Sequence, residues 1–331
     1  VRLKKVGEFP LIDIISKQTA ASHPSVIKGI GDDAAVIAEG RDKCLLVTTD
    51  ILREEIHFKR SFTTPFLLGK KSLSVNLSDI AAMGGTPFCY FVSLSVPENL
   101  SLNFVKELYR GMHRQAKEFN TVLLGGDTVS SLKDIVISIT LIGKAKKESV
   151  VYRNRAKKGD LIYVTGYPGE SALGLLMLKK DPNSFKRKAA VKKHLDPSPR
   201  ITIGKALAEK KLANSMIDIS DGLIADLEHI TRQSKKGAHI YLSQIPLSNS
   251  YKKECLDFSK DMYNPALFGG EDYELLFTSE AKNKTKIENL SKRSGIPITC
   301  IGKITDPSEE IAILGNSNKK IKKGGIGFRH F

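Results

Sequence analysis

Residues 215–232 read SMIDISDGLIADLEHITR. Met216 to Ile219 form a short apolar strand. Ser220, Asp221 and Gly222 interrupt it, and Leu223 to Arg232 then repeat apolar residues at helical spacing. One stretch thus supplies a strand, an acid-bearing turn and a helix, the unit from which α/β folds are assembled. It also sets two carboxyls, Asp218 and Asp221, where an apolar run gives way to a glycine.

The same grammar recurs along the chain. Its other instances are Gly31-Asp32-Asp33, Leu46-Val47-Thr48-Thr49-Asp50, Gly125-Gly126-Asp127-Thr128 and Gly269-Gly270-Glu271-Asp272. Asp79 adds a further acid among small residues in Asn76-Leu77-Ser78-Asp79. Taken singly, each instance reads as an ordinary turn, because Asp and Gly are common there. Taken as a set, they fit a site for metal and phosphate. Carboxylates gathered at the ends of buried strands repel one another unless cations neutralise them. Magnesium is a hard cation that takes oxygen ligands, with phosphate completing its shell. Glycines beside the acids let backbone amides approach a phosphate closely.

Working outward, helices are expected over 9–19, 65–84, 102–119, 203–212 and 223–232. Strands are expected over 44–48, ending in Thr49-Asp50, over 88–96, and over 121–124, emptying into Gly125-Gly126-Asp127. Further strands fall at 134–143, 161–164, 216–219, 240–242 and 273–278. The charged, proline-bearing stretch 181–200 is expected to lie outside the main core. These elements predict an α/β protein of two domains, residues 1–145 and 146–331, divided within the basic stretch 144–158. The length of 331 residues agrees, since single cores stop growing near roughly 250–300 residues.

Composition narrows the function. Net charge is +16, from 52 Lys plus Arg against 36 Asp plus Glu. The lysines are spread through surface-like stretches and do not alternate with aromatics, so they read as a solvated surface and not as a nucleic-acid site. No run of about 18 apolar residues and no secretory leader is visible, so a cytoplasmic protein without a membrane span is expected. Cys44, Cys89, Cys255 and Cys300 are scattered in apolar stretches and read as buried thiols. No P-loop and no protein-kinase signature occurs. Gly166 to Ser171 reads as a helix cap or a phosphate-lining turn. His57 stands alone, and no nucleophile–histidine arrangement is legible.

The segments IGDDAA (30–35), TTD (48–50), IHF (56–58), SVNLSDIAAMGG (74–85) and LLGGDT (123–128) carry a nearly end-to-end resemblance. So do YVTGYPGESALGL (163–175), KKHLDPSPR (192–200), SMIDISDGLIADLEHI (215–230) and FGGEDYELLFT (268–278). The chain resembles the thiamine-monophosphate kinase family, within the superfamily of the aminoimidazole ribonucleotide synthetases. Selenophosphate synthetases share the acidic loops but usually carry a reactive cysteine near a glycine-rich N-terminus, which is not seen here.

The resemblance implies a two-domain α/β (α+β) synthetase-like fold, a homodimer, and transfer of the ATP γ-phosphoryl group to thiamine monophosphate with several Mg²⁺ ions. It implies metal ligands at Asp33, Thr48 (mainly through its backbone oxygen), Thr49, Asp50, Asp79, Asp127, Asp218 and Asp221. ATP would be held by Asp33, Thr49, Tyr109, Gly126, Asp127, Arg153 and Ser220, and the acceptor by His57, Glu271 and Phe328. Asp50, Asp127, Arg153 and Asp218 would carry catalysis. Asp32 would shape its loop. Phe328 keeps a ring where relatives often have Trp or Tyr, without the polar handle.

Overall fold

A computed structural model describes residues 6–18, 23–315 and 320–321. The expected Phe328 contact lies outside these residues. The first half builds one sheet from β1 (Val26–Lys28), β2 (Ala35–Glu39), β3 (Lys43–Arg53), β4 (Thr86–Pro97), β5 (Val122–Ser131) and β6 (Val136–Lys146). Its order is β1-β2-β3-β6-β4-β5. Only β4 and β5 run parallel, and the helix α3 (Leu102–Glu118) links them. Such a crossover is what a parallel neighbour requires. Helices α1 (Glu8–Gln18) and α2 (Pro65–Ala82) complete this half.

The second half builds another mixed sheet. Its strands are β7 (Leu161–Thr165), β8 (Ser215–Asp218), β9 (Gly237–Tyr241), β10 (Leu275–Ser279), β11 (Ile298–Thr305), β12 (Ile311–Leu314) and β13 (Lys320–Ile321). They are ordered β13-β12-β9-β11-β7-β10-β8. Around it lie α4 (Glu170–Lys180), α5 (Ala189–Leu195), α6 (Ile201–Glu209), α7 (Leu223–Ser234), α8 (Asn249–Glu254), α9 (Asn264–Phe268) and α10 (Lys284–Ser294).

Strand β6 shows why the first sheet has one buried face. Ile137, Ile139 and Leu141 are buried, while Ser138 and Thr140 between them are partly exposed. That period of two turns alternate side chains toward the helices. Helix α2 begins at Thr64, whose hydroxyl accepts from Leu67 N–H at 3.2 Å, with Pro65 at the first helical position. It is buried nearly all round. Its buried Ser72, Ser74 and Asn76 donate to backbone carbonyls of the preceding turn, at 3.0, 3.0 and 3.2 Å. Gly69 and Gly111 let α2 and α3 touch backbone to backbone, since a Cβ at either would sit 1.9 Å from a carbonyl oxygen of the other helix.

One hydrophobic cluster joins α2 and the first sheet to Tyr163, Met216, Leu275 and Phe277 of the second. Tyr163 and Phe277 stack with ring centroids 5.2 Å apart. Helix α2 therefore lies at the junction of the two sheets, and the functional residues converge there.

Several elements differ from the sequence reading. Strand β3 does not stop at Asp50 but continues to Arg53, because β6 offers it a continuous antiparallel ladder as far as Val136. Strand β5 likewise runs through Gly125, Gly126 and Asp127 and does not release them as a loop, because β4 pairs with it on to Ser131. The stretch 181–200 is not wholly outside the core: α5 buries Ala190, Val191 and His194. Cys44, Cys89 and Cys255 are buried and Cys300 is half-buried, all as free thiols. Among the described residues no helix is long and apolar enough to cross a membrane.

Candidate active site

Three elements meet at a carboxylate cluster. The loop before β2 brings Asp33, α2 brings Asp79 and the end of β8 brings Asp218. One oxygen from each lies within 4.8 Å of the others. Strand β3 adds Asp50, whose backbone N–H donates to Asn76 Oδ1 on α2 at 3.1 Å. The Thr48 hydroxyl donates to Asp79 Oδ2. Thr49 faces the opposite side of the sheet, where its hydroxyl lies 3.3 Å from that of Thr140.

Arg153 is the cation of the cluster. Its Nη2 and Nε donate to the two oxygens of Asp33 at 2.6 and 3.2 Å, the forked geometry suited to guanidinium and carboxylate. Asp32 accepts from the Arg153 backbone N–H at 3.2 Å and anchors the same loop.

One arginine does not balance this many acids. Burial, then the Asp33 charge, pushes Asp218 up to about 8 against the opposing pull of Ser78 and Arg153. Burial also raises Asp50 to about 6, opposed by its hydrogen bond with Asp79 and helped by the Asp33 charge. Asp79 is raised well above the usual range by burial and by Asp50. Asp32 rises to about 7 through burial and Asp33. Crowded, dehydrated, all-oxygen groups of this kind are what a hard divalent cation neutralises, so the residues fit magnesium.

A cavity of about 1230 Å³ opens from the cluster. Asp50, Asp79, Asp218, Ser220 and Asp221 line it, together with His57, Lys71, His194 and Glu271 and with Ile56, Phe58, Phe62, Phe268 and Tyr273. The loop bearing Ser220 and Asp221 is fixed by Asp226, whose Oδ2 accepts from the N–H groups of Ser220, Asp221 and Gly222 at 3.1, 3.2 and 3.0 Å. Gly270 closes against it: a Cβ there would lie 2.2 Å from the Ser220 carbonyl oxygen. Beside this wall Asp272 accepts from Gly169 and Ser171 N–H at 2.6 and 3.0 Å. The turn before α4 is thereby capped.

Two regions of the chain match the AIR synthase related protein family, its N-terminal domain over residues 31–145 and its C-terminal domain over 157–315. The thiamine-monophosphate kinase of Buchnera aphidicola subsp. Acyrthosiphon pisum is 41% identical, covering 99% of both chains. That of Bacillus subtilis is 35% identical over 98% of this chain and 100% of its own. The chain belongs to the thiamine-monophosphate kinase family. The solved AaThiL, complexed with AMPPCP and TMP, superposes with a TM-score of 0.86 at 36% identity, covering 100% of this chain and 99% of the other.

In this member of the thiamine-monophosphate kinase family, the residues expected from sequence fall into two groups. Asp33, Thr48, Asp50, Asp79, Arg153, Asp218, Ser220 and Asp221 gather at or beside the cluster, and His57 and Glu271 line its cavity. Thr49 touches the cavity wall while its hydroxyl points to the sheet's other face. Tyr109, Gly126 and Asp127 are not among the cavity-lining residues. Tyr109 is half-buried on α3, and Gly126 and Asp127 lie exposed on β5, three strand positions from β3. Sequence reasoning missed Lys71, His194, Asn76 and Asp226. Lys71 carried a readable signal, since it precedes Asp79 by two helical repeats of four.

Proposed function

We infer that this protein is an ATP-dependent thiamine-monophosphate kinase, moving the γ-phosphoryl group of ATP onto the phosphate of thiamine monophosphate to give thiamine diphosphate and ADP. The observation that carries the reading is one cavity lined both by carboxylates of the cluster and by Glu271, His57 and aromatic side chains. The carboxylates suit metal and phosphates, and the aromatic lining with Glu271 and His57 suits a heteroaromatic ring with hydrogen-bonding groups.

Asp33, Asp79 and Asp218 would hold magnesium, with Asp50, Asp221, Thr48 and Thr49 beside them. Bound magnesium supplies neutralisation of charge between two phosphates. Arg153 supplies further positive charge from the Asp33 side. The acceptor is a phosphate oxygen already ionised enough to attack, so no strong general base is needed. His57 agrees with that. Its Nδ1 accepts from the Arg53 N–H at 3.0 Å, so a neutral ring carries its proton on Nε2 and acts as a donor.

A cytoplasmic homodimer is part of this reading, as is a division of the chain near residue 146. Among the described residues, strand β5 ends the first sheet with one edge unpaired. Val122, Leu124 and Val129 on it are 54%, 59% and 52% exposed. Such an edge invites a second copy, and a partner there would also cover Gly126 and Asp127.

A coupled assay with ATP, magnesium and thiamine monophosphate tests the function, with free thiamine as control acceptor. Thiamine diphosphate formed from the monophosphate alone is the expected result. Folded protein that forms none would overturn the reading.

A further inference from the structure

Helix α2 lays Lys71, Val75 and Asp79 along one wall of the cavity. Spaced four residues apart, they share a face, and about 12 Å of helix separates the first from the last. Asp79 belongs to the carboxylate cluster. Lys71 therefore lies about two helical turns from the cluster's helix residue on the same wall.

Lys71 is only 3% exposed, and its Nζ lies 2.8 Å from Glu271 Oε1. A lysine so removed from water requires an anionic partner. The other Glu271 oxygen lies 3.5 Å from His194 Nδ1, which also meets the Ser171 hydroxyl at 3.0 Å. Glu271 adopts φ of 64°, left-handed and unfavourable for a residue with a Cβ. Its N–H holds that conformation by donating to the Ser220 carbonyl at 2.7 Å. The side chain keeps 25% of its surface accessible, and it lines the cavity.

Burial would push the Glu271 carboxyl up, yet Lys71 in first place brings it below the ordinary value. His194 is itself pushed down to about 3, by burial and then by Lys71, so near neutral pH its ring is uncharged. Lys71, 2.8 Å away, is the foremost cation holding Glu271 ionised.

We propose that Lys71 is a positioning residue for the acceptor: through its ion pair it fixes the Glu271 carboxylate as an anionic hydrogen-bond acceptor facing the cavity, and so favours acceptors that present an amino or cationic group to it. This rests on the kinase reading above.

The test is a double-mutant cycle of Lys71→Met and Glu271→Gln, assayed with ATP, magnesium and thiamine monophosphate. Lys71→Met should raise the acceptor KM about tenfold while kcat and the ATP KM change less than about threefold. Because Lys71 acts through Glu271, the double variant should be no worse than Glu271→Gln alone. Effects that multiply to about a hundredfold would overturn the proposal, as would a loss confined to kcat. Lys71→Gln, which keeps a donor and removes the charge, runs the same cycle if the methionine variant does not fold. Wild-type enzyme that makes no thiamine diphosphate would overturn the kinase reading and this inference together. Active wild type with multiplying effects would overturn the inference alone.

Discussion

Arg153 grips Asp33 through two hydrogen bonds, Nη2 to Oδ1 at 2.6 Å and Nε to Oδ2 at 3.2 Å. The arginine thus occupies a carboxylate that is also proposed to hold magnesium. Replacing it with Met should strengthen nucleotide-free magnesium binding several-fold, measured by calorimetry, because Asp33 loses a competing cation. The same variant should lower kcat about a hundredfold or more, because positive charge beside the transferring group is lost. Weaker magnesium binding in Arg153→Met would contradict this account.

Asp218 stands in a cluster whose charges repel. Asp218→Asn should reduce kcat by about a thousandfold while the metal-free protein melts at an equal or higher temperature, since the cost of burying a carboxyl that must be protonated or charged there is gone. Turnover near that of the wild type at saturating magnesium would remove Asp218 from the ligand set.

His57 lines the cavity with its Nδ1 already accepting from the Arg53 N–H, which suits a donor at Nε2 better than a base. His57→Ala should raise the acceptor KM about tenfold with kcat largely kept. A large fall in kcat at unchanged acceptor affinity, in steady-state kinetics, would show that the imidazole takes part in the chemical step.

Glu274 couples stability to pH. It is fully buried, accepting from Lys193 Nζ at 2.6 Å, Arg200 Nε at 2.6 Å and the Thr165 hydroxyl at 2.6 Å. Burial raises its carboxyl, but Lys193 and Arg200 outweigh burial and hold it at about 2, against an ordinary 4.5. A depressed acid stabilises the fold fully above its unfolded value and loses that contribution as pH falls through the folded one. Thermal melts should therefore show wild-type stability declining from pH 4.5 toward 2. Glu274→Gln should give a flatter profile there and a loss of about 3 kcal/mol near neutral pH, where Lys193 and Arg200 are left without their partner. A variant as acid-sensitive as the wild type would place the sensitivity elsewhere.

The β5 edge should decide the oligomer. Leu124→Glu together with Val129→Lys should convert a dimer to a monomer in light scattering, because charged residues on an edge strand oppose pairing. A dimer unaffected by both would assign the interface to another surface.

The sequence by itself determined most of the elements and pointed to the class of chemistry. Period-two alternation marked β6, helical spacing of apolar residues with Pro65 at an early position marked α2, and the repeated glycine–acid grammar marked most carboxyls of the cluster. Those signals are local, written within a few residues of each other. Only the tertiary structure decided which acids meet. It set Asp218 beside Asp33 and Asp79, while Asp127, with the same local signature, lies on an exposed edge strand. It also paired Lys71 with Glu271 across 200 positions of chain. Strand partners and helix crossings are fixed by long-range packing, and no local pattern states which remote carboxylate a buried lysine will find.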